Sequence, residues 1–451
     1  MSPASRVSRV SRGGTNPAVL RTWAVLALGA LVLGLGVSSS AGSVADLLAV
    51  HRSTIVAFVL AVAGGELFRL RMPGGRDAAP LASGSALALA FVGEIQGEPT
   101  FDVGAGVVVL VVGAGMLAAA VVRRFQARRY GVERAAARLV GVAVAAALAR
   151  EVPPSGRSLW DLALDKTVPR WSVAFAMVAV AAVGVLVEVV LTSAVRSARQ
   201  RTPWLAALRG ELGEVAPLTY AVVTSGPLVA LMAPPFGLAS LPAALFPLAI
   251  TYVAVDRYAR NRVTYRQTIA TLSHLTEKGG YTPRGHAERV ADLSLRIGRV
   301  LGMSDRELRD VEYAALLHDL GQIALREPIP GGATVLAAPS DQRDIAAEGA
   351  RIVRHAEGLD TVADYVEAQT TPYRQVRELG EPVPVASRVI KVANAFDDLT
   401  GGRRDPAEAR AAMERIHLGL GYEYDPEVVQ ALAVATSDVA ESAREWEPAG
   451  R

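Results

Sequence analysis

Tyr313-Ala-Ala-Leu-Leu-His-Asp-Leu-Gly-Gln322 reads as the end of an apolar helix. Leu308, Val311 and Ala315 form a stripe at helical spacing, and His318 falls next on it. Ser304 with Glu307 is a capping box that starts this helix, and Gly321 is a stop signal. A His beside an Asp cannot both face one way unless the helix is ending and something sits between them. A divalent metal ion is that something, because imidazole nitrogen and carboxylate oxygen together suit a borderline or hard transition ion.

Working outward, Val290, Leu293, Ile297 and Val300 make a second amphipathic stripe, and His286 lies one turn ahead of Val290 on it. Both histidines extend apolar faces, and a buried imidazole needs partners. A shell of His286, His318, Asp319 and Asn394 meets that need. Further helices are expected over 341–355, 361–368, 385–399, 406–418 and 426–435, with a polar ending from Thr436. Pro283 and Gly285 break the chain just before His286, and Gly331-Gly332 after Pro328 and Pro330 reads as a loop with no phosphate-binding pattern.

The 451-residue chain is 51% hydrophobic with mean hydropathy +0.29, too apolar for a purely soluble protein. The lack of cysteine excludes disulfides and thiolate metal sites. Lysine occurs only at 166, 278 and 391, so the arginine excess reads as composition and does not point to a nucleic-acid polymer. Five of the six histidines (274, 286, 318, 355 and 417) follow residue 270.

About eight apolar spans precede them, near 19–40, 53–70, 80–97, 102–123, 135–150, 170–194, 215–233 and 236–256. A spanning helix needs roughly 20 mostly apolar residues. The second, third and fifth spans are short or carry polar residues, which leaves six or seven open. Arginines at 6, 9, 12 and 21 precede the first span, and clusters at 69–76, 123–129, 196–201 and 257–262 follow every even one. That asymmetry puts both termini in the cytoplasm. The segment 38–45 also fits a signal-peptidase site, whose cleavage would remove one span. Glu66 and Glu94 sit near span ends, where a carboxylate reaches the interface. Glu188 lies deeper and is the candidate for a buried pair or ligand contact. A stimulus would act on the spans or on short loops such as 151–168.

The expected architecture is all-α: a cytoplasmic tail at 1–18, a polytopic transmembrane region at 19–256, a connecting helix at 257–275, a cytoplasmic helical domain at 276–435 and a polar tail at 436–451.

The order His286, His318-Asp319 and then Ala386-Ser-Arg-Val-Ile-Lys-Val-Ala-Asn-Ala-Phe-Asp-Asp-Leu-Thr400 resembles the HD superfamily of metal-dependent phosphohydrolases, especially its HD-GYP branch. The resemblance runs from about Leu272 to Leu432. It implies an all-helical HD domain in which His286, His318 and Asp319 bind metal and Asp319 orients the attacking water. Asn394 stands where the family has a fourth acidic ligand; Asp398 or Asp397 is a candidate to compensate. The HD-GYP likeness adds Glu277 and His355 as further candidate ligands, whereas His274 and His417 match no ligand position. The paired His-Glu element is replaced by Ala368-Gln369-Thr370-Thr371-Pro372-Tyr373, the Gly-Tyr-Pro signature is absent, and the usual lysine is Gln322. These departures weigh against a bimetal or trimetal centre.

The expectation is a membrane-anchored phosphohydrolase using a divalent ion (Mn, Fe or Mg) on a nucleotide or cyclic dinucleotide such as cyclic di-GMP, with a homodimer as a candidate assembly. Two other readings stay open. One is a catalytically inactive HD domain that binds a nucleotide or protein partner. The other is a transporter with a regulatory tail, which lacks the broken helix pair of a midplane site.

Overall fold

The computed structural model describes residues 17–40, 42, 44–72, 76–126, 131–151, 157–165, 167–200, 204–329, 332–403 and 405–445. Arg6, Arg9, Arg12, Arg128, Arg129, Arg201, Lys166, Pro330, Gly331 and parts of the 38–45 segment and of both tails lie outside them. The chain divides into two compact units, Met1–Ala259 and Arg260–Arg451. The division falls inside one helix.

In the first unit, apolar runs become α1 (Pro17–Ser40), α2 (Val44–Val50), α3 (Arg52–Leu67), α4 (Pro80–Phe91), α5 (Ala105–Phe125), α6 (Val132–Arg150), α7 (Leu159–Leu164), α8 (Arg170–Gln200), α9 (Trp204–Phe236) and α10 (Ser240–Lys278). Four stretches, Ala18–Ser40, Ala105–Phe125, Arg170–Arg199 and Leu218–Lys278, are long and apolar enough to cross a membrane. The unit exposes apolar surface outside, and its apolar interior also holds a few buried charges. Trp23, Leu60, Leu117, Phe125, Trp171 and Phe175 are exposed, while Glu66, Arg69 and Arg138 are buried. Exposed apolar surface on that scale marks a surface made for another apolar phase or partner.

Two expectations change here. Glu66 does not reach an interface: it is fully buried, 2.6 Å from Arg69 and paired with Arg138. Tertiary packing supplies the cations that let a carboxylate sit inside. The third span stops being helical at Phe91. Arg150 donates to the carbonyls of Leu89, Ala90 and Val103 at 2.9–3.0 Å, so the end of α4 is held by a guanidinium and the chain leaves as irregular backbone. A short strand pair, β1 (Leu70–Met72) with β2 (Arg76–Ala78), links α3 to α4.

The second unit begins with the end of α10 and continues as α11 (His286–Val300), α12 (Asp305–Leu317), α13 (Pro339–Val353), α14 (Asp360–Ala368), α15 (Tyr373–Leu379), α16 (Val385–Thr400), α17 (Pro406–Leu418) and α18 (Pro426–Glu445). Ser304 and Glu307 form the expected capping box of α12. The polar ending from Thr436 continues α18 to Glu445. The core gathers Val290, Ile297, Val311, Val366, Val389, Ile390 and Leu432, all fully or almost fully buried. Helix α16 touches α11, α12, α14, α17 and α18, which makes it the central strut of the unit.

After α12, a 3-10 turn over Leu320–Ala324 packs on α13. Gly321 permits that contact: a Cβ there would run into the Ile345 carbonyl and lie 2.7 Å from the Gly349 amide nitrogen. Overpacking against rigid backbone costs about 3 kcal/mol or more when nothing can shift. Gly321→Ala should therefore lower the thermal stability of this unit by that order, read by thermal unfolding of the purified full-length protein. An unchanged melting temperature would show that the contact is not tight.

Candidate metal centre

Four elements carry the site. His286 is the first residue of α11, His318 caps the end of α12, Asp319 opens the 3-10 turn, and Asn394 lies in the middle of α16. His286 and His318 are 1% exposed and Asp319 is 4% exposed.

Each imidazole is fixed from behind. His286 Nδ1 lies 2.8 Å from Asp397 Oδ2, and His318 Nδ1 lies 2.8 Å from the Ala315 carbonyl oxygen. Both acceptors call for the hydrogen on Nδ1, which leaves a lone pair on each Nε2. The two Nε2 atoms then face each other at 3.3 Å. Asp319 Oδ2 lies 3.3 Å from one and 3.2 Å from the other, and it accepts no well-formed hydrogen bond. Asn394 donates its amide to Thr334 Oγ1 at 2.9 Å, which aims its Oδ1 at His318 Nε2, 3.3 Å away.

Four acceptor atoms thus converge in a dry pocket. With no cation among them they would repel. Metal–nitrogen bonds of about 2.0–2.1 Å put neighbouring donors of one coordination sphere roughly 3.0–3.4 Å apart. The donor set and its spacing therefore fit a divalent ion held by His286, His318 and Asp319, with Asn394 as a neutral fourth donor.

The titration behaviour follows the same demand for positive charge. Burial alone would depress His286, yet the nearby carboxylate of Asp319 and the hydrogen bond to Asp397 push it up to about 10. Burial would raise Asp319, but His318 and His286 hold it far below the usual carboxylate range. Burial, reinforced by the charge of Asp319, pushes Asp398 up to about 6.

The other sequence candidates fall in different places. Asp397 is neither a solvated acid nor a donor to the cluster. It accepts from His286 and takes a two-pronged contact from Arg289, whose Nε and Nη2 lie at 2.8 and 2.9 Å. Asp398 is buried, accepts from the Val335 amide at 3.3 Å and stands 3.9 Å from His286 Nδ1. Glu277 is not brought to the cluster: its Oε1 accepts from the Gly285 amide at 2.8 Å and its Oε2 lies 3.3 Å from His274. It braces the turn before α11. His355 is also left out, exposed past the end of α13 with its ring bonded back to the Arg351 carbonyl. His417 is exposed on α17, its Nδ1 donating to the Met413 carbonyl.

Three supporting residues escape sequence reasoning. Thr334 orients Asn394, and Gln369 donates to the His318 carbonyl at 2.8 Å. Arg289 had a signal, since i to i+3 on α11 puts it on the face of His286. Gln322 is fully buried, and among the described residues neither its amide oxygen nor its nitrogen has a hydrogen-bond partner. Residues three apart on a 3-10 turn eclipse, so Gln322 shares the face of Asp319. An unsatisfied buried amide costs about 1–3 kcal/mol. The arrangement leaves it a donor and an acceptor to offer to a ligand.

Residues 271–428 match the family profile of the HD domain. Three curated proteins are similar over part of the chain. The cyclic di-GMP phosphodiesterase response regulator RpfG of Xanthomonas campestris is 27% identical over 187 residues, covering 37% of this chain and 47% of the relative. A cyclic di-GMP phosphodiesterase of Thermotoga maritima is 25% identical over 190 residues, covering 39% and 50%. The 3'3'-cGAMP-specific phosphodiesterase 2 of Vibrio cholerae is 22% identical over 199 residues, covering 42% and 38%. The chain spans about half the length, or less, of the curated relatives it matches. The second unit is thus similar to the HD domain, and the chain is similar in part to these phosphodiesterases.

A raised carboxylate makes a pH prediction. Asp398 has a folded pKa of about 6 against an unfolded value near 3.8, so the folded state holds its proton more tightly. Stability from this group is full below pH ~4 and is lost as pH rises past 6, by up to about 3 kcal/mol. In chelator-treated protein, Asp398→Asn should raise the melting temperature at pH 8 and change it little at pH 4. An equal effect at both pH values would contradict the assignment.

Proposed function

We propose that this chain is a membrane-anchored, metal-dependent phosphohydrolase that cleaves a nucleotide phosphodiester, with cyclic dinucleotides such as cyclic di-GMP as the first candidates. The observation that carries the reading is the convergence of His286 Nε2, His318 Nε2 and Asp319 Oδ2 at 3.2–3.3 Å from one another, with Asn394 Oδ1 3.3 Å from His318 Nε2 and both Nδ1 atoms tied behind. The names of the relatives support the reaction class.

When bound, a divalent ion supplies Lewis-acid polarisation of a phosphoryl oxygen and a water more acidic than bulk. The protein does the rest. His286 and His318 hold their lone pairs inward because Asp397 and the Ala315 carbonyl take their other protons. Asp319 adds the negative charge and orients the attacking water. Arg289 balances Asp397, so this carboxylate stays ionised and keeps gripping His286. Gln322 offers a neutral amide to the substrate beside Asp319. The apolar exterior of the first unit supports membrane anchoring. Its arginine clusters support a cytoplasmic second unit, so a reporter fused after Arg451 should be active as a cytoplasmic-type fusion; periplasmic-type activity would overturn that topology.

One observation favours binding without turnover: Asn394 and Gln322 remove the charges that the family uses to hold metal and phosphate. The two readings separate in one set of measurements on the detergent-solubilised full-length protein. Metal content should fall to background in His318→Ala/Asp319→Ala, and hydrolysis of bis-p-nitrophenyl phosphate and of cyclic di-GMP should fall with it. Equal metal in wild type and double variant refutes the centre. Metal and cyclic di-GMP binding without hydrolysis would establish the non-catalytic reading.

Asn394→Asp tests the same point with opposite signs. A carboxylate in contact with the ion should tighten metal binding about tenfold, equivalent to about 1.4 kcal/mol, and raise phosphodiester hydrolysis. In a metal-free pocket the new charge would be buried without a partner and would lower the melting temperature.

A further inference from the structure

The first unit contains a chain of charges that the hydrolytic reading does not use. Asp77, Arg69, Glu66, Arg138 and Glu188 alternate in sign. Arg69 lies 2.9 Å from Asp77 and 2.6 Å from Glu66, and Arg138 pairs with Glu66 and lies 3.3 Å from Glu188. The close crossing of α6 and α8 sets its last link. Gly141 and Gly184 face each other there, with Gly184's missing Cβ only 2.7 Å from the Gly141 carbonyl. That contact places Arg138 of α6 opposite Glu188 of α8.

Two arginines bridge three carboxylates in this chain, so its terminal acids share their cations. Both terminal acids line one cavity of about 120 Å³ among the N-terminus of α4 and helices α6, α8 and α9. Asp77 and Glu188 keep 25% and 20% of their side chains exposed, and Asp77 Oδ1 accepts no hydrogen bond among the described residues. Across the cavity stand Arg134, which donates to the Asp77 carbonyl at 2.9 Å, and Arg196, 2.7 Å from Glu211. Val185, Val189, Leu218 and Val222 supply an apolar wall.

The size and the signs define the occupant. A cavity of about 150 Å³ accepts benzene, which has six heavy atoms, so this one, at about 120 Å³, suits a solute of about five. A lone cation or anion would upset a balanced network in a medium where unpaired charge is costly. A molecule with both charges would not. We propose that this cavity binds a zwitterion of the size of the smallest amino acids, its ammonium at Asp77 and Glu188 and its carboxylate at Arg134 and Arg196. The lining residues lie at the arginine-rich end of the helices, so under the topology proposed above the ligand would come from the cytoplasm. The site does not depend on the HD reaction.

The test is calorimetric titration of the full-length protein in nanodiscs with glycine, with methylamine and acetate as single-charge analogues. Saturable glycine binding is expected, with each analogue at least tenfold weaker and with Glu188→Gln and Arg196→Gln each weakening glycine at least tenfold. No saturable glycine binding overturns the proposal, as does an analogue that binds as well as glycine or glycine binding unchanged in both variants. If either charge variant is not monodisperse, Thr219→Leu decides, because it fills the cavity and leaves every charge in place. Loss of glycine binding in that variant supports the site, and retention refutes it.

Discussion

Four lone pairs pointed at one another in a buried space are the constraint on which the second unit depends. Three of them are turned inward by a hydrogen bond on the far side: Asp397 for His286, the Ala315 carbonyl for His318, Thr334 for Asn394. Such an array is repulsive in isolation and favourable only around positive charge. The folded unit therefore has a standing demand for a cation. The raised imidazolium of His286 and the depressed carboxylate of Asp319 are two expressions of that demand.

The scaffold meets this constraint with backbone rather than long side chains. Helix α12 ends at His318, so adjacent residues diverge in direction and His318 and Asp319 can both reach one point. The 3-10 turn after them is pressed on α13 through Gly321, which removes the freedom that would let Asp319 swing away. Helix α16 then supplies three different functions from one stretch. Asn394 faces the cluster, Asp397 one turn on grips His286, and Asp398 lies buried beside them. A shift of α16 would disturb all three, and the helix is anchored in the apolar core by Ile390 one turn before Asn394 and by Val389 and Val392 on the far side.

Local pattern made most of this legible. The helical stripes located His286 and His318, the capping box placed the start of α12, and the apolar runs coincide with α1, α3, α4, α5, α6, α8, α9 and α10. What escaped depends on contacts across long separations in sequence. Asp397 looks like one of two neighbouring helix acids until a ring 111 residues away turns toward it. His355 fits a motif, but its position just past the end of α13 points it to solvent. Glu277 has the right type and order, yet its carboxylate serves a loop amide eight residues on. Glu66 looked like a span-end carboxylate because its partner Arg138 is 72 residues away.

The charge pattern around the candidate centre bears on whether Asn394 disables it. Replacing a carboxylate by an amide removes one negative charge from contact with a cation. Asp398 places a carboxylate on the same face of α16, one turn further, 2% exposed and 3.9 Å from His286 Nδ1. Its oxygen is held by the Val335 amide, so it does not join the donors. Coulomb attraction falls only with the first power of distance and is little screened in a dry site. A charge displaced by one helical turn still stabilises a cation there, although it cannot share electrons with it. The amide also keeps a donor atom at 3.3 Å from His318 Nε2, so the geometry of four donors survives. Asn394 and Asp398 thus divide between them what one aspartate would do, one supplying the contact and the other the field. Under the proposed reading that division would lower affinity without removing the site, and it would make the raised carboxylate of Asp398 intelligible as part of the centre rather than a flaw in the core.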